Sequence, residues 1–200
     1  MLRSVSTYYQ GRLDEFGPTA RGVDWNSTES QRLRFAQLLR LVEGADAFSI
    51  NDYGCGYGAL LDFLLERPAA FTYTGFDVCP AMIAAAQTRH GGTANARFTA
   101  RPDVAPADYT LASGIFNVKL QHAAGDWREY VLDTLVDLHG LSTRGFAFNM
   151  LTSYSDPERR RPDLYYEDPR QMFDHCRRAF GRVALLHDYP LFEFTVLVRK

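Results

Sequence analysis

The sequence predicts an α/β fold: a doubly wound, mostly parallel sheet with helices on both faces and a helical cap at the N-terminus. Three observations carry that expectation. Apolar, β-branched and aromatic segments of strand length alternate with helical segments along most of the chain, the pattern of a parallel sheet covered on both sides. A glycine-rich turn separates the first strand from the helix that follows it. The last two strands are joined by a short link around Pro190, so they are expected to be antiparallel neighbours.

The elements follow in order. A leading helix starts near Asn26 as cap, with Glu29 in its first turn, buries Leu33, Phe35, Leu38, Leu39 and Val42, and stops at Gly44. Residues 48–53 form the first strand, and a helix runs from Ala59 to about Glu66, where Pro68 prevents its extension. Residues 71–77, with their β-branched and aromatic side chains, form the second strand. Pro80 suits the first position of a helix that continues from Met82 to Arg89. Residues 96–100 and 108–112 are the third and fourth strands. A helix over 127–139 and a strand over 146–150 follow. Asp168 caps a helix whose apolar stripe is Met172, Phe173, Cys176 and Phe180. Residues 183–186 and 192–198 close the sheet.

At 200 residues the chain suits a single compact unit, with residues 1–46 as a cap segment and leading helix and residues 47–200 as the main domain. Hydrophobic residues at 46% and charged residues at 23% exclude global disorder. A net charge of -2 argues against a basic nucleic-acid-binding surface. No apolar run approaches the roughly 18 residues of a membrane span, and residues 1–9 lack the apolar core of a signal peptide. Cys55, Cys79 and Cys176 are odd in number and form no Cys-x-x-Cys pair. Neither a disulfide framework nor a metal site is expected, and a cytoplasmic location fits.

The most informative stretch is Asp52-Tyr53-Gly54-Cys55-Gly56-Tyr57-Gly58. A strand ends, the backbone turns, and a helix begins, so a ligand can approach the backbone closely near a helix N-terminus. In an open parallel sheet the ligand lies beyond the carboxyl ends of the strands. Gly54, Gly56 and Ala59 also satisfy the dinucleotide pattern G-x-G-x-x-[G/A], which keeps NAD as a rival cofactor. Asp52 shifts the balance. A carboxylate two residues before the first glycine repels a pyrophosphate and welcomes an ammonium group, and the cofactor with an ammonium group and no phosphate is S-adenosylmethionine (SAM).

The stretch resembles the first motif of the class I SAM-dependent methyltransferases, D-x-G-x-G-x-G. The resemblance continues in order along the chain, from about Trp25 onwards. Residues 75–83 are similar to the family's second-strand segment, with Cys79 in place of the usual serine; residues 107–114 resemble its fourth strand, and residues 194–199 its terminal strand. The segment from Tyr8-Tyr9 to Asn26 resembles a group of small bacterial members. The family implies a seven-stranded sheet with its last strand antiparallel, SAM as cofactor and S-adenosylhomocysteine as product.

The resemblance carries roles onto individual residues. Asp52, Tyr53, Gly54, Gly56 and Gly58 would hold the methionine part of SAM. Asp77 would accept hydrogen bonds from ribose hydroxyls, its other reading being a helix cap. Val78 and Met82 would pack on the adenine, and Asp103 or backbone near Arg101 would meet the adenine amine. Ser113 and Gly114 would touch the cofactor; Phe116 and Asn117 would line the acceptor pocket. No Asn/Asp-Pro-Pro-Tyr/Phe sequence follows the fourth strand, which lowers acceptors such as base amino groups and glutamine amides. Trp25 and Arg34, placed on the leading helix, would close over SAM as aromatic lid and cation; Arg21 and Arg32 are alternatives to Arg34, and a solvated helix charge is the other reading.

For the acceptor side, His122 after the fourth-strand loop is the candidate general base, against a purely structural histidine. Tyr8, Tyr9, Tyr165 and Tyr166 could wall the acceptor pocket or simply pack. Glu158-Arg159-Arg160-Arg161 reads as a solvated loop or as recognition of an anionic acceptor. The expected activity is methyl transfer to a small-molecule acceptor, at oxygen or nitrogen, by a monomer or homodimer with no nucleic-acid or membrane partner. Rival readings are a methyltransferase acting on protein or RNA, a non-catalytic SAM-binding partner protein, and an NAD-dependent oxidoreductase.

Overall fold

The structure is a computed structural model that describes residues 1–101 and 104–200. Eight strands form one sheet: β1 (Ala47–Tyr53), β2 (Ala70–Phe76), β3 (Ala96–Thr99), β4 (Ala107–Ala112), β5 (Ser142–Thr152), β6 (Tyr166–Glu167), β7 (Arg182–Leu186) and β8 (Glu193–Arg199). Their spatial order is β3-β2-β1-β4-β5-β8-β7, with the two-residue β6 added beside the end of β5. Strands β1 to β6 pair parallel. Strand β8 runs antiparallel to both β5 and β7, as the short link around Pro190 predicts.

Among the described residues six α-helices surround the sheet: α1 (Leu2–Phe16), α2 (Thr28–Leu39), α3 (Ala59–Leu65), α4 (Pro80–His90), α5 (Ala124–Gly140) and α6 (Pro169–Phe180). The two faces of β5 show how the layers divide. Ala147 faces a core built with Phe35 and Leu38 of α2 and Leu60 and Leu61 of α3. Phe146, Phe148 and Met150 point the other way, onto Trp127, Val131 and Leu135 of α5 and Met172 and Cys176 of α6. That alternation is the period of two of a strand buried on both faces. Both cores rest on wholly buried large side chains, Leu38 and Leu61 in the first and Trp127 and Phe194 in the second.

Several local features differ from the sequence expectation: α2 ends at Leu39, short of Gly44, and β6 is an added eighth strand. Helix α2 is capped by Ser27 rather than Asn26: the Ser27 hydroxyl accepts from the Ser30 N–H at 3.1 Å, so the helix begins one residue later. Helix α1 was not expected as a separate helix. It has no fully buried residue, and its half-buried stripe is Val5, Tyr9 and Leu13, spaced four apart. Tyr9 and Leu13 pack with Val23 against Met82 of α4, which lays α1 across the carboxyl end of the sheet.

Candidate active site

Strand β1 lies between β2 and β4, so the chain leaves it toward one side and later returns on the other. The carboxyl end of β1 is therefore the switch point where open α/β sheets bind ligands. The glycine loop sits there. Gly54, Gly56 and Gly58 have φ of +83°, +52° and +86°, the left-handed region that glycine enters without a Cβ penalty.

Four amides of this loop, those of Gly54, Cys55, Gly56 and Gly58, are spent within the protein. The N–H groups of Gly54 and Cys55 both donate to the Phe76 carbonyl, at 2.7 and 2.9 Å, and that of Gly58 to the Cys55 carbonyl at 3.0 Å. The Gly56 N–H donates to Asp77 Oδ2 at 2.9 Å. Loop and β2 are thereby tied together, and the polar groups presented to a ligand here are carboxylates rather than a nest of amides. A pyrophosphate would need those amides, whereas ammonium and hydroxyl groups suit the carboxylates.

The two carboxylates are Asp52 and Asp77. Asp52, the penultimate residue of β1, is buried; its Oδ2 accepts from the Tyr73 hydroxyl at 2.6 Å. Burial pushes its carboxyl up to about 7; the Tyr73 hydrogen bond opposes this, and the charge of Asp77 adds to it. Asp77 follows β2 and accepts from the N–H of Cys79, the residue capping α4, at 2.8 Å through Oδ1. Burial raises its carboxyl to about 6, against the two hydrogen bonds from Cys79 and Gly56. Both groups are held in place by donors, and both lose much of their solvation. An incoming donor or cation therefore meets poorly solvated carboxylates already oriented.

A cavity opens on these residues. Its wall brings together Trp25, Asp52, Tyr53, Gly54, Gly56, Asp77, Val78, Met82, Ser113 and Gly114. Leu2, Val5 and Tyr9 of α1 and Val23 cover it, and Gln31, Ile115 and Tyr130 complete it. Of the residues expected around a cofactor, Gly58, Arg34 and its alternatives Arg21 and Arg32, and Arg101 lie outside this wall. Gly58 instead supports the loop from behind, where a Cβ would come within 2.8 Å of the His90 ring. Trp25 precedes α2 rather than riding on it.

A second cavity of about 470 Å³ adjoins the first. Tyr9, Val23, Trp25 and Gly114 belong to both walls, so the two spaces meet across these residues. The Trp25 ring is fixed from two sides. The Arg34 guanidinium lies over it at 3.9 Å, and a Cβ on Gly114 (φ +75°) would come within 2.3 Å of it. Arg34 itself is buried and donates to both oxygens of Glu193, at 2.7 and 2.5 Å. Arg34 therefore lines the second cavity and is engaged by a carboxylate of the protein, which corrects the expectation of a cation over SAM.

Asn117 and Tyr166 also line the second cavity, together with Arg159 and Arg161 of the charge run. Phe116, Tyr8 and Tyr165 do not. Phe116 is wholly buried and packs edge-on against Phe148, because its carbonyl is drawn into the core to accept from the Trp127 indole at 2.8 Å. Tyr165 is buried with its hydroxyl on Glu167 at 2.8 Å. Tyr8 reaches only the edge, donating to Asp24 at 3.0 Å.

His122 is in neither wall. Its ring stacks on Trp127 and its Nε2 lies 2.9 Å from the Ser4 hydroxyl, which ties the α1 N-terminus to the loop before α5. That placement corrects its assignment as general base. Tyr189, at the link between β7 and β8, is likewise occupied, with its hydroxyl 2.9 Å from Thr195 Oγ1. Asp103 lies outside the described residues. Sequence reasoning missed Leu2, Val5, Val23 and Glu193; only the four-residue spacing of Val5, Tyr9 and Leu13 signals the covering helix.

Comparison with known proteins gives a consistent picture. A family model described as a methyltransferase domain matches residues 50–134. A Mycobacterium tuberculosis protein described as "Putative methyltransferase Rv1506c" is 55% identical over 165 residues, covering 81% of this chain and 99% of that protein. Among solved structures, DhpI in complex with S-adenosylhomocysteine superposes with a TM-score of 0.67 at 17% identity, over 99% of this chain and 96% of that one. The Burkholderia thailandensis 1,6-didemethyltoxoflavin-N1-methyltransferase, with bound 1,6-didemethyltoxoflavin and S-adenosylhomocysteine, superposes with a TM-score of 0.64 at 20% identity, over 98% and 90% of the two chains. Among the described residues no helix is long and apolar enough to cross a membrane.

Proposed function

The chain belongs to the class I SAM-dependent methyltransferases, and from that premise we propose that it methylates a small-molecule acceptor, at oxygen or nitrogen, held in the second cavity. The observation that carries this reading is the junction of the two cavities at Tyr9, Val23, Trp25 and Gly114. A methyl donor in one and an acceptor in the other would face each other across those four residues.

The polar and apolar groups of the first cavity suit SAM, while its space of about 90 Å³ is smaller than the cofactor, so the covering side chains must part to admit it. Asp52 and Asp77 offer oriented carboxylate oxygens for its ammonium group and ribose hydroxyls. The Ser113 Oγ, buried at the same wall, has no hydrogen-bond partner and is free to meet a polar atom of the cofactor. Val78 and Met82 supply apolar wall for the adenine. When bound, SAM supplies a methyl group on a sulfonium that needs no further activation. The protein's contribution is then orientation and exclusion of water. Leu2, Val5 and Tyr9 of α1 cover the cofactor space, and Trp25, clamped by Arg34 and Gly114, sets the boundary that the acceptor must approach. In this reading residues 1–46 act as the cap and residues 47–200 as the cofactor-binding domain.

A small acceptor is supported by the size of the second cavity, about 470 Å³. The Burkholderia neighbour, which shares the fold, has 1,6-didemethyltoxoflavin bound together with S-adenosylhomocysteine. The test is calorimetric titration of the protein with SAM, S-adenosylhomocysteine and NAD, repeated on Asp77→Ala. The sulfur nucleosides should bind, NAD should not, and the variant should bind them more weakly. Binding of NAD alone, or undiminished SAM binding by the variant, would overturn these assignments.

A further inference from the structure

Two residues that line the second cavity each carry a donor atom with no partner; both atoms are closed to water, so a ligand in the cavity reaches them after a small side-chain shift. Asn117 Oδ1 accepts from the Leu151 N–H at 3.2 Å, and because an N–H can face only an acceptor, this contact fixes the amide orientation. Nδ2 is then the atom left without a hydrogen bond. Arg34 spends Nε and Nη2 on Glu193, and its Nη1 is left without one. Asn117 and Arg34 are 4% and 6% exposed. Buried donors of this kind are rare in native proteins unless a ligand or water answers them. Among the described residues of this wall, no buried side-chain acceptor is left unpaired.

Charge points the same way. Arg34, Arg159 and Arg161 line the cavity against Asp24 and Glu193, three cations to two anions. The carboxylates are already engaged: Glu193 by Arg34, and Asp24 by Tyr8 at 3.0 Å and Arg12 at 3.3 Å. Arg159 and Arg161 stand at the solvent side, their side chains 72% and 50% exposed. The nearest carboxylate to Arg159 is Asp156 at 3.6 Å. Arg161 holds Asp163 through Nε and Nη2, and its Nη1 lies 3.9 Å from Asp24.

We infer that the second cavity holds its acceptor by an oxyanion group, a carboxylate or a phosphoryl group, with Asn117 Nδ2 and Arg34 Nη1 as inner donors and Arg159 and Arg161 at the mouth. The inference rests on the reading of this cavity as the acceptor site. Charge-assisted hydrogen bonds are the stronger kind, and a guanidinium matches either oxyanion geometrically.

The experiment is calorimetry on the whole chain saturated with S-adenosylhomocysteine, titrated with benzoate, phenylphosphonate and the neutral benzamide. One or both anions should bind at least about tenfold more tightly than benzamide, and which anion does so identifies the group. Asn117→Asp keeps the Oδ1 acceptor and the shape but replaces the free donor with a carboxylate oxygen. It should weaken the anion by about tenfold or more. The surface double variant Arg159→Ala/Arg161→Ala should weaken it too. Both should bind S-adenosylhomocysteine as the parent does. Equal binding of benzamide, indifference to both variants, or no probe bound by about 10 mM would overturn the inference alone. Failure of S-adenosylhomocysteine to bind the parent would bring down the cofactor assignment and the inference together.

Discussion

Arg34 and Glu193 close a two-pronged ion pair between α2 and the start of β8, 159 positions apart in sequence, with donor–acceptor distances of 2.7 and 2.5 Å. Neither side chain is more than 7% exposed. Removing one partner strands the other charge in a poorly solvated place. Glu193→Gln should therefore lower stability by about 3–5 kcal/mol, whereas Arg34→Met/Glu193→Leu should be close to neutral. Urea midpoints of the single and double variants check this. A double variant as unstable as the single one would mean that the pair holds the fold by more than its charges.

The contact between Trp25 and Gly114 gives a second prediction. Gly114→Ala places a Cβ at positive φ and within 2.3 Å of the Trp25 ring, so the ring must leave its place. The strain should cost about 1–3 kcal/mol. Trp127, the other tryptophan, is wholly buried and supplies a constant background. A shift in tryptophan emission, with weaker S-adenosylhomocysteine binding, is the expected outcome; unchanged emission would show that the ring is not held by this contact.

The fold and the cofactor side of the site were legible in the sequence because their signals are local. The turn from Asp52 to Gly58 and the carboxylate of Asp77 at the end of β2 are placed by the strand–turn–helix pattern that surrounds them. The second cavity, the proposed acceptor side, was not, because its residues converge from distant segments. Arg34 looks like a surface charge on α2 until Glu193, on β8, arrives beside it. Phe116 and Tyr165 read as pocket aromatics, but the core behind β4 and β5 takes them. Helix α1 hid because its stripe is only half-buried and most of its other residues are polar, so its apolar period is weak. His122 was legible as a titratable residue near the fourth strand, but its distance from both cavities depends on the position of α1.

His122 carries a third prediction. Its Nε2 contacts Ser4 and its ring stacks on Trp127, outside both cavities. His122→Ala should leave S-adenosylhomocysteine affinity and single-turnover methyl transfer within about twofold of the parent, and should loosen the α1 N-terminus. Hydrogen exchange over residues 2–9 reads the second effect. A large loss of transfer at unchanged cofactor affinity would restore His122 as the base.

The last prediction concerns pH and follows from Asp52 and Asp77. Their carboxyls are raised by burial from the ordinary value of 3.8 to about 7 and about 6 in the folded chain. In the unfolded chain both titrate near the ordinary value. Between these limits the folded state holds more protons than the unfolded state. These two groups therefore add stability that is full below about pH 4 and lost as pH rises through about 6 and 7. Asp168, Glu66 and Asp163 are lowered by arginine partners and act in the opposite sense, losing their contribution as pH falls through the acid range. The two effects separate if the measurement stays above about pH 5. There the thermal midpoint of the ligand-free chain should fall toward pH 8, and Asp52→Asn should flatten the upper part of that fall. Cofactor affinity should run the other way. An ammonium group and ribose hydroxyls favour the ionised carboxylates, so SAM should bind more tightly as pH rises through the same window and should release protons on binding. Calorimetry in two buffers of different ionisation enthalpy measures that release directly. Binding with no proton release near pH 6.5, or release that survives in both Asp52→Asn and Asp77→Asn, would show that these carboxylates are not the groups the cofactor meets.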